Sequence, residues 1–136
     1  MADLKSNLDL GALMPFAAKC GVTFSGATPA EVHGELEWAP DRCTSGGVMH
    51  GGALMVLADT VGAACAFLNL PPGSSTTTIE SKTNFFRAVR SGRAVATAVP
   101  LHVGRTIIVV QTDVRDDAGK RVALVTQTQA VLASGT

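Results

Sequence analysis

Val48-Met49-His50-Gly51-Gly52 leads directly into sixteen residues, 53–68, of which only Asp59, Thr60 and Gly62 lie outside the apolar set. Alanine, leucine and methionine favour helix, and the apolar residues surround this stretch at 3.6-residue spacing. We therefore predict a long helix that is buried on most of its sides. It is shorter than the roughly 20 residues that cross a bilayer. Asp59 lies near its middle, where a charge is costly unless it is paired, hydrated or functional.

Length and composition describe one globular domain, which we predict over residues 1–136. The chain is 46% hydrophobic and 16% charged, and its formal net charge of zero argues against nucleic acid as a partner. Three cysteines without a C-x-x-C pair favour reduced thiols in a cytoplasmic protein over a disulfide framework. Residues 1–13 lack the long apolar run of a secretory signal. Because the three histidines are too scattered for a local zinc motif, we predict neither a metal nor a cofactor.

Most of the remaining chain is predicted as β-strand. The exception is a short helix over residues 8–19, which contains Pro15 and is stopped by Gly21. Residues 22–25 and 31–38 are predicted strands, and the second alternates between apolar and polar residues. Four later strands are rich in Val, Thr, Ile or Phe, over residues 76–89, 94–103, 106–115 and 121–132.

Short connections link these later strands: Arg90-Ser91-Gly92-Arg93, Gly104-Arg105 and Asp116-Asp117-Ala118-Gly119. Connections of this length join antiparallel neighbours. The predicted fold class is α+β, an antiparallel sheet of five or six strands wrapped round one long central helix. Such a sheet leaves one side of the helix uncovered, and a second copy of the chain is the simplest apolar cover. We expect a homodimer, assembled further into a dimer of dimers.

Two segments carry a resemblance to a known family: Gly47-Val48-Met49-His50-Gly51-Gly52 and Leu57-Ala58-Asp59-Thr60. They resemble the helix signature of hotdog-fold acyl-CoA thioesterases, and in particular the PaaI-like branch of the phenylacetate pathway, which includes aryl-CoA thioesterases. Residues 78–88 resemble the first long strand of that family, and the likeness extends over roughly residues 22–132. It implies a hotdog fold and an enzyme that hydrolyses an aryl- or medium-chain acyl-CoA thioester to free acid and coenzyme A. Coenzyme A is then part of the substrate.

The chemistry of a thioester also points to the start of the helix. Its carbonyl needs a donor to the oxygen, together with a nucleophile or a base for water. Gly51 and Gly52 begin the helix, where backbone N–H groups are unpaired and the dipole is positive, and glycine permits close approach. Alternatively, the two glycines only allow tight packing or a turn. His50 either orients the loop, donates to the carbonyl or only caps the helix.

Asp59 is the predicted catalytic carboxylate, because the family uses Asp or Glu at this position as nucleophile or general base. The alternative is a structural Asp that is hydrogen-bonded to a neighbouring strand. His50 and Asp59 are nine residues apart, which is about 13 Å along a helix and half a revolution around it. They therefore cannot reach one carbonyl from the same chain. The family resemblance likewise implies that the helix start of one chain faces the carboxylate of another.

Two positions depart from the family pattern. Relatives often have Asn or Gln six residues before the histidine, where this chain has Thr44, whose hydroxyl has a shorter reach. Aryl-CoA relatives with Glu at the catalytic position also carry a Thr four residues later, where this chain has Ala63. Thr77 or Thr78 is a candidate for the missing hydroxyl, although both are also ordinary strand formers.

A run of basic residues suggests how coenzyme A is held. Residues 81–112 contain five basic side chains and no acid: Lys82, Arg87, Arg90, Arg93 and Arg105. Arginine suits phosphate, of which coenzyme A carries three groups. We predict contacts from Arg87 and Arg90, and from the Gly104-Arg105 turn. The alternative is a solvated basic edge that keeps sheets from pairing.

Two other functions fit the same fold. A hotdog-fold dehydratase would be a lyase with a catalytic histidine paired with the acid, and the His-Gly-Gly helix start argues against it. A non-catalytic acyl-CoA-binding protein is the second. The sequence leaves open which acyl group is bound and whether Asp59 acts as nucleophile or base. The expected partners are acyl-CoA and further copies of the chain, without nucleic acid or membrane.

Overall fold

The computed structural model describes residues 9–133, which form three α-helices and six β-strands. The helices are α1 (Leu10–Leu13), α2 (Pro15–Cys20) and α3 (Gly51–Leu68). The strands are β1 (Thr23–Thr28), β2 (Glu31–Glu37), β3 (Ser75–Phe85), β4 (Arg93–Val103), β5 (Ile107–Arg115) and β6 (Arg121–Leu132). Two short 3-10 turns, Pro40–Arg42 and Ser45–Gly47, precede α3.

All six strands form one antiparallel sheet in the order β1-β2-β4-β5-β6-β3. This confirms the predicted α+β class, with one sheet around one long helix. One expectation is wrong, because β3 does not neighbour β4. It pairs with β6 along its whole length, from Ser75 opposite Leu132 to Phe85 opposite Ala123.

The reason for this error lies at the end of β3. The predicted strand runs to residue 89, but the observed strand ends at Phe85. Phe86 and Arg87 both donate their N–H to the Val122 carbonyl, which ends the regular ladder. Residues 86–92 then form a crossover from one edge of the sheet to β4. Because β3 ends four residues earlier than predicted, the link to β4 is a long crossover and not a tight turn.

Helix α3 is the predicted central helix, and it begins at Gly51, two residues before the apolar stretch. Its inward side is packed against the sheet, and Leu57 and Val61 have no exposed surface. Burying each such side chain stabilises the fold by about 1.5–3 kcal/mol. With 18 residues, two more than the predicted apolar stretch, α3 is long and apolar enough to cross a membrane by length and composition, contrary to the expectation from sequence, but more than half of it is buried within the fold.

Small residues let α3 lie close to β2 and β4. A Cβ on Gly34 would lie 2.5 Å from Val61 Cγ2, so no larger residue fits there without movement. On β4 the residues that face the helix are Ala94, Ala96 and Ala98, all fully buried. This confirms the prediction that one face of this strand is smaller where the sheet curves round the helix.

The opposite side of α3 is uncovered in the single chain. Met55, Asp59, Ala63 and Phe67 lie four residues apart and are exposed or only partly buried, and we call them the open stripe. The neighbouring strand β3 is an edge of the sheet and is exposed over most of its length. The uncovered side expected from the sequence is therefore present, next to an unpaired strand edge.

The N-terminal helix is divided in two rather than continuous over residues 8–19, and Leu8 lies outside the described residues. The break is at Met14, whose φ of −126° and ψ of 71° are not helical. Pro15 explains it, since proline disfavours helical backbone in the residue before it and is suited to the first helical position. Gly21, at φ 99°, ends α2 as predicted.

Two further expectations can be compared with the fold. In β2 the apolar face is buried as predicted, at Val32, Gly34 and Leu36. None of the three cysteines forms a disulfide. Burial raises the pKa of the Cys65 thiol to about 11, so this thiol is protonated at neutral pH.

Candidate active site

The loop before α3 fixes the position at which the helix begins. Thr44 N–H donates to the Val48 carbonyl at 2.8 Å, which turns the chain back on itself. Met49 N–H then donates to the Val89 carbonyl at 2.8 Å, which ties the loop to the crossover after β3. The Thr44 side chain is exposed on this loop, as a substrate contact would require.

His50 caps the start of α3. Its Nδ1 accepts a hydrogen bond from the Gly52 N–H at 2.7 Å, while its own N–H donates to the Arg42 carbonyl at 2.8 Å. An Nδ1 that accepts carries no proton, so the neutral ring has its proton on Nε2. The capping role considered from the sequence is therefore present. The ring is also exposed, which leaves Nε2–H as an outward donor.

The Gly51 N–H is the open donor at this helix start. Ala53 and Leu54 donate to the His50 carbonyl at 2.9 and 3.3 Å, and Gly52 donates to the His50 ring. Gly51 N–H therefore has no hydrogen-bond partner among residues 9–133 and points out of the positive end of α3. Gly52 makes room for the His50 cap, because a Cβ at position 52 would lie 2.8 Å from His50 Nδ1.

Phe85 forms an apolar wall beside this donor. A Cβ on Gly51 would lie 3.2 Å from the Phe85 Cζ atom, so the ring at the end of β3 packs against the bare glycine. Half of the Phe85 side chain is nevertheless exposed. An apolar neighbour lowers the local dielectric and strengthens a hydrogen bond to a carbonyl oxygen.

Asp59 is exposed on the open stripe, although one side of its carboxylate lies against strand β6. Gln127 Nε2 of β6 donates to Asp59 Oδ1 at 3.3 Å. Burial raises the pKa of the Asp59 carboxyl above its ordinary value, and the Gln127 hydrogen bond opposes that rise in part. A carboxylate with a raised pKa is a better base than an ordinary one. The structural alternative, a hydrogen bond to a neighbouring strand, is thus also present.

Buried amides continue beside this pair on β6. Gln127 and Gln129 face the helix with at most 1% exposure. Gln129 Nε2 donates to Thr78 Oγ1 at 2.7 Å, and Thr76 Oγ1 donates to Gln129 Oε1 at 3.0 Å. Thr78 therefore faces the inner side of β3, and the two-residue period of a strand places Thr77 on the outer side. Of the two candidate hydroxyls, Thr78 is on the side of the helix.

The predicted basic residues are divided between the two ends of the sheet. Arg87 and Arg90 line a cleft of about 460 Å³ beside the start of α3, together with Asp116 and Asp117. Arg90 also reaches the loop before α3, where its Nη1 donates to the Gly46 carbonyl at 3.5 Å. Near these two, Arg93 is paired with Glu35 at 2.7 Å and Asp117 at 3.0 Å, so it is not free to hold phosphate.

Gly104 and Arg105 lie at the other end of the sheet. They form the turn between β4 and β5, and the nine residues of β5 separate them from the Asp116 end by about 30 Å. One chain therefore does not bring Arg105 together with Arg87 and Arg90. Ala63 lies on the open stripe, one turn after Asp59 and facing the same uncovered side.

Sequence reasoning missed Phe85, Gln127 and Gln129. Phe85 was included only in the family strand pattern, although an aromatic residue at a strand end is a recognisable candidate for a pocket wall. The signal for the amides was the alternation Ala123, Val125, Gln127, Gln129 on one face of β6. Two amides that continue an apolar face indicate buried polar groups with a specific partner.

Comparison with solved structures supports the same fold. A thioesterase from Haemophilus influenzae matches with a TM-score of 0.87 and 26% identity, over 97% of this chain and 96% of that one. A variant of the phenylacetic acid degradation protein PaaI from Thermus thermophilus matches with a TM-score of 0.78 and 28% identity, over 85% and 97% of the two chains.

Sequence comparison gives shorter matches. The 1,4-dihydroxy-2-naphthoyl-CoA hydrolase of Escherichia coli is 31% identical over 63% of this chain and 63% of its own length. Curated relatives from Haemophilus influenzae and Vibrio cholerae, 39% and 36% identical, are matched over little more than half of their length, 54% and 57%. The family model described as the thioesterase superfamily matches residues 46–123, which contain the helix start, Asp59 and Phe85. The chain therefore belongs to the thioesterase superfamily, with the hotdog fold and the PaaI-like likeness that its sequence indicated.

Proposed function

We propose that this chain is an acyl-CoA thioesterase that hydrolyses an aryl- or medium-chain acyl-CoA to the free acid and coenzyme A. The observation that carries the proposal is the unpaired Gly51 N–H at the capped, positive end of α3. Relatives named as thioesterases or as acyl-CoA hydrolases add support. The aryl option is supported by the 1,4-dihydroxy-2-naphthoyl-CoA hydrolase and by the PaaI likeness.

In this mechanism the thioester oxygen accepts a hydrogen bond from the Gly51 N–H. The positive end of α3 stabilises the negative charge that forms on that oxygen when the carbonyl carbon becomes tetrahedral. Loss of one such donor typically lowers the rate by about 100- to 1,000-fold. His50 Nε2–H is a second donor at the same helix end.

Asp59 supplies the other half of the reaction in its ionised form. It either attacks the carbonyl carbon and forms an anhydride that water opens, or takes a proton from water that attacks directly. In both routes the carbon–sulfur bond breaks and the sulfur leaves as a thiolate that takes up a proton. One water is consumed for each thioester.

The active site is shared between two chains of a homodimer. Gly51 and Asp59 lie eight residues apart on one helix, about 12 Å along its axis, which is too far for one carbonyl. The open stripe and the unpaired edge of β3 support a second copy as cover, since exposed strand edges readily pair. In a dimer Arg105 of one chain is also able to join Arg87 and Arg90 of the other around coenzyme A. Further assembly into a dimer of dimers and a cytoplasmic location stay predictions.

A panel of acyl-CoA substrates tests the reaction. Aryl- and medium-chain acyl-CoA are incubated with the protein, and free thiol is measured with a chromogenic reagent. The proposal expects thiol and free acid in equal amounts for at least one member. Loss of water from a hydroxyacyl chain without release of thiol would indicate the dehydratase. Binding without turnover would indicate a non-catalytic acyl-CoA-binding protein.

Mixing two impaired variants tests the shared site, and Gly51→Val replaces His50→Ala if the latter keeps its activity. His50→Ala and Asp59→Ala proteins are mixed under conditions that exchange subunits, and heterodimers are confirmed by mass spectrometry. One site of each heterodimer then unites an intact His50 with an intact Asp59. Activity should recover to about a quarter of wild type per chain if exchange is random. Confirmed heterodimers without recovery would place the complete site within one chain.

A further inference from the structure

Strand β6 places a buried amide directly behind Asp59. None of the Gln127 side chain is exposed, and its Nε2 donates to Asp59 Oδ1 at 3.3 Å. Its Oε1 has no hydrogen-bond partner in the described part of the chain. Burying an amide with unmet hydrogen bonds is costly, whereas an apolar side chain of the same shape would pack without that cost. A residue retained under these conditions points to a role beyond packing.

The helix is shaped around this amide. Gly62 lies three residues after Asp59, and a Cβ at that position would overlap Gln127 Oε1. Thr112 of β5 borders the same space, and its Oγ1 also has no hydrogen-bond partner among residues 9–133. The absence of a side chain at Gly62 therefore gives the amide its path to the carboxylate. Turning the amide over would place Oε1 against a carboxylate oxygen, so the ionised Asp59 fixes Nε2 as the donor.

We propose that Gln127 is a positioning residue that holds the Asp59 carboxylate toward the uncovered side of α3, where the thioester binds. The inference rests on the proposed function and adds to it a residue outside the helix signature. Gln129 provides a natural contrast. It is the same residue type two positions later on the same face, equally buried, but its amide is bonded to Thr78 and Thr76 instead of the carboxylate.

The proposal has a consequence for pH dependence, because few other groups act on Asp59. On α3 itself the other titratable side chain is Cys65, which is protonated at neutral pH. The inner faces of the six strands present none, since the charged residues of β3, Glu80 and Lys82, are opposite Thr128 and Thr126 on the outer face. Lys19, Asp41 and Arg42 line a cleft with His50 at the start of the helix, about two turns away from Asp59. Burial and the Gln127 hydrogen bond thus determine the pKa of Asp59 within one chain.

The test compares Gln127→Met with Gln129→Met. Methionine keeps the length and flexibility of glutamine, and both variants remove one buried amide from the same face of β6. In Gln127→Met the acidic limb of kcat/KM should move to higher pH by about one unit, the size expected for losing a hydrogen bond to a charged group. Turnover at the optimum should also fall, by about tenfold, because the carboxylate is no longer held in one position. Gln129→Met should leave the limb in place, even if it lowers stability.

A second variant and a direct titration complete the design. Gln127→Glu introduces a carboxyl group that shares a proton with Asp59, so its acidic limb should move further up than that of Gln127→Met. The Asp59 carboxyl is titrated by carbon-13 NMR in wild type and in both methionine variants. If its titration and the acidic limb are the same in both variants, Gln127 has only a structural role. If no acyl-CoA is hydrolysed, the proposed function fails, and the NMR titration still decides whether Gln127 controls Asp59.

Discussion

Helix α3 packs against two halves of the sheet that differ in chemistry. Toward β2 and β4 it meets small apolar residues, namely Gly34, Ala94, Ala96 and Ala98. Toward β5, β6 and β3 it meets buried aliphatic residues such as Val110 and Val125, and among them the hydroxyls and amides of Thr112, Thr83, Gln127, Gln129 and Thr78. The first half has no polar side chain facing the helix, whereas the second contains three buried polar atoms without hydrogen-bond partners in the described chain: Thr83 Oγ1, Thr112 Oγ1 and Gln127 Oε1.

This difference separates the part of the core that only stabilises the fold from the part that contacts the proposed catalytic carboxylate. Close apolar packing on the β2–β4 half contributes to the free energy of unfolding and touches nothing reactive. The polar half contains unmet hydrogen bonds, which are costly, and it contacts the Asp59 carboxylate through Gln127. Changes in the two halves should therefore affect different measurements.

The largest effect is expected on the polar half, from Asp59→Asn. Asparagine keeps the shape and still accepts from Gln127, but it is neither a nucleophile nor a base at neutral pH. Turnover should fall by about 100- to 10,000-fold, the range for loss of a general base. Asp113→Asn is the control, because Asp113 lies on the outer face of β5, paired with Arg115 and Arg121. An Asp59→Asn protein with more than a tenth of wild-type turnover would contradict the assignment.

Gly51→Val should have the next largest effect. The new side chain meets the Phe85 ring and covers the approach to the N–H, so turnover should fall by about 100-fold. The double variant Gly51→Val with Phe85→Ala removes the ring contact but keeps the covered N–H. Its turnover should stay well below that of Phe85→Ala alone, which is the control for losing the ring beside the donor. Normal turnover in Gly51→Val would show that the donor to the thioester oxygen is not the Gly51 N–H.

On the apolar half the expected loss is in stability alone. Gly34→Ala brings a methyl group to 2.5 Å from Val61 Cγ2, and such overpacking costs about 1–3 kcal/mol of the free energy of unfolding. Gly26→Ala on β1 is the matched control, since its nearest neighbour is His33 Cδ2 at 3.6 Å, an ordinary contact. Chemical unfolding at one protein concentration measures the difference. Turnover per folded chain should be unchanged in both variants, and a large loss in Gly34→Ala would show that the halves are coupled.

The apolar half is also the part that could be predicted from sequence. Its signals are local, because the apolar run of α3 and the alternation in residues 31–38 depend on neighbours in the chain. The glycine and aspartate of the candidate site also lie on that one helix, and the family resemblance supplied the role proposed for the aspartate. The position of β3 was not predicted, because pairing with β6 rather than β4 depends on where the strand ends, and strand ends are set by tertiary hydrogen bonds.

The polar half depends on contacts that are distant in sequence. Gln127 donates to Asp59 from 68 positions away, and a side chain at residue 62 would overlap its amide oxygen. The alternation in β6 predicts that the amide faces inward, but it does not predict which residue the amide contacts. The basic residues show the reverse situation. Arg87 and Arg105 are close in sequence, but strand β4 lies between them and places them at opposite ends of the sheet.

The smallest effect is a difference in the pH dependence of stability between two aspartates. Burial raises the pKa of Asp59, so the folded chain holds that proton more tightly than the unfolded chain. As pH rises from the unfolded pKa through the folded one, wild type loses stability relative to Asp59→Asn, and above that window the difference is constant. Asp59→Asn should therefore be more stable than wild type at neutral pH and about equal to it below the unfolded pKa.

Asp113 should show the opposite sign. Burial raises the pKa of its carboxyl, but hydrogen bonds and charge from Arg121 and Arg115 outweigh this and hold that pKa below its ordinary value. Its contribution to stability is present above the unfolded pKa and is lost as pH falls through the folded pKa. Asp113→Asn should then be less stable than wild type at neutral pH, with the difference shrinking in acid. Urea unfolding of the three proteins at a fixed concentration, from about pH 3 to pH 8, measures both curves. If the two variants change stability in the same direction at neutral pH, the ionised Asp59 carboxylate does not destabilise the fold. The contrast between a half that stabilises the fold and a half that holds the candidate site would then fail at Asp59.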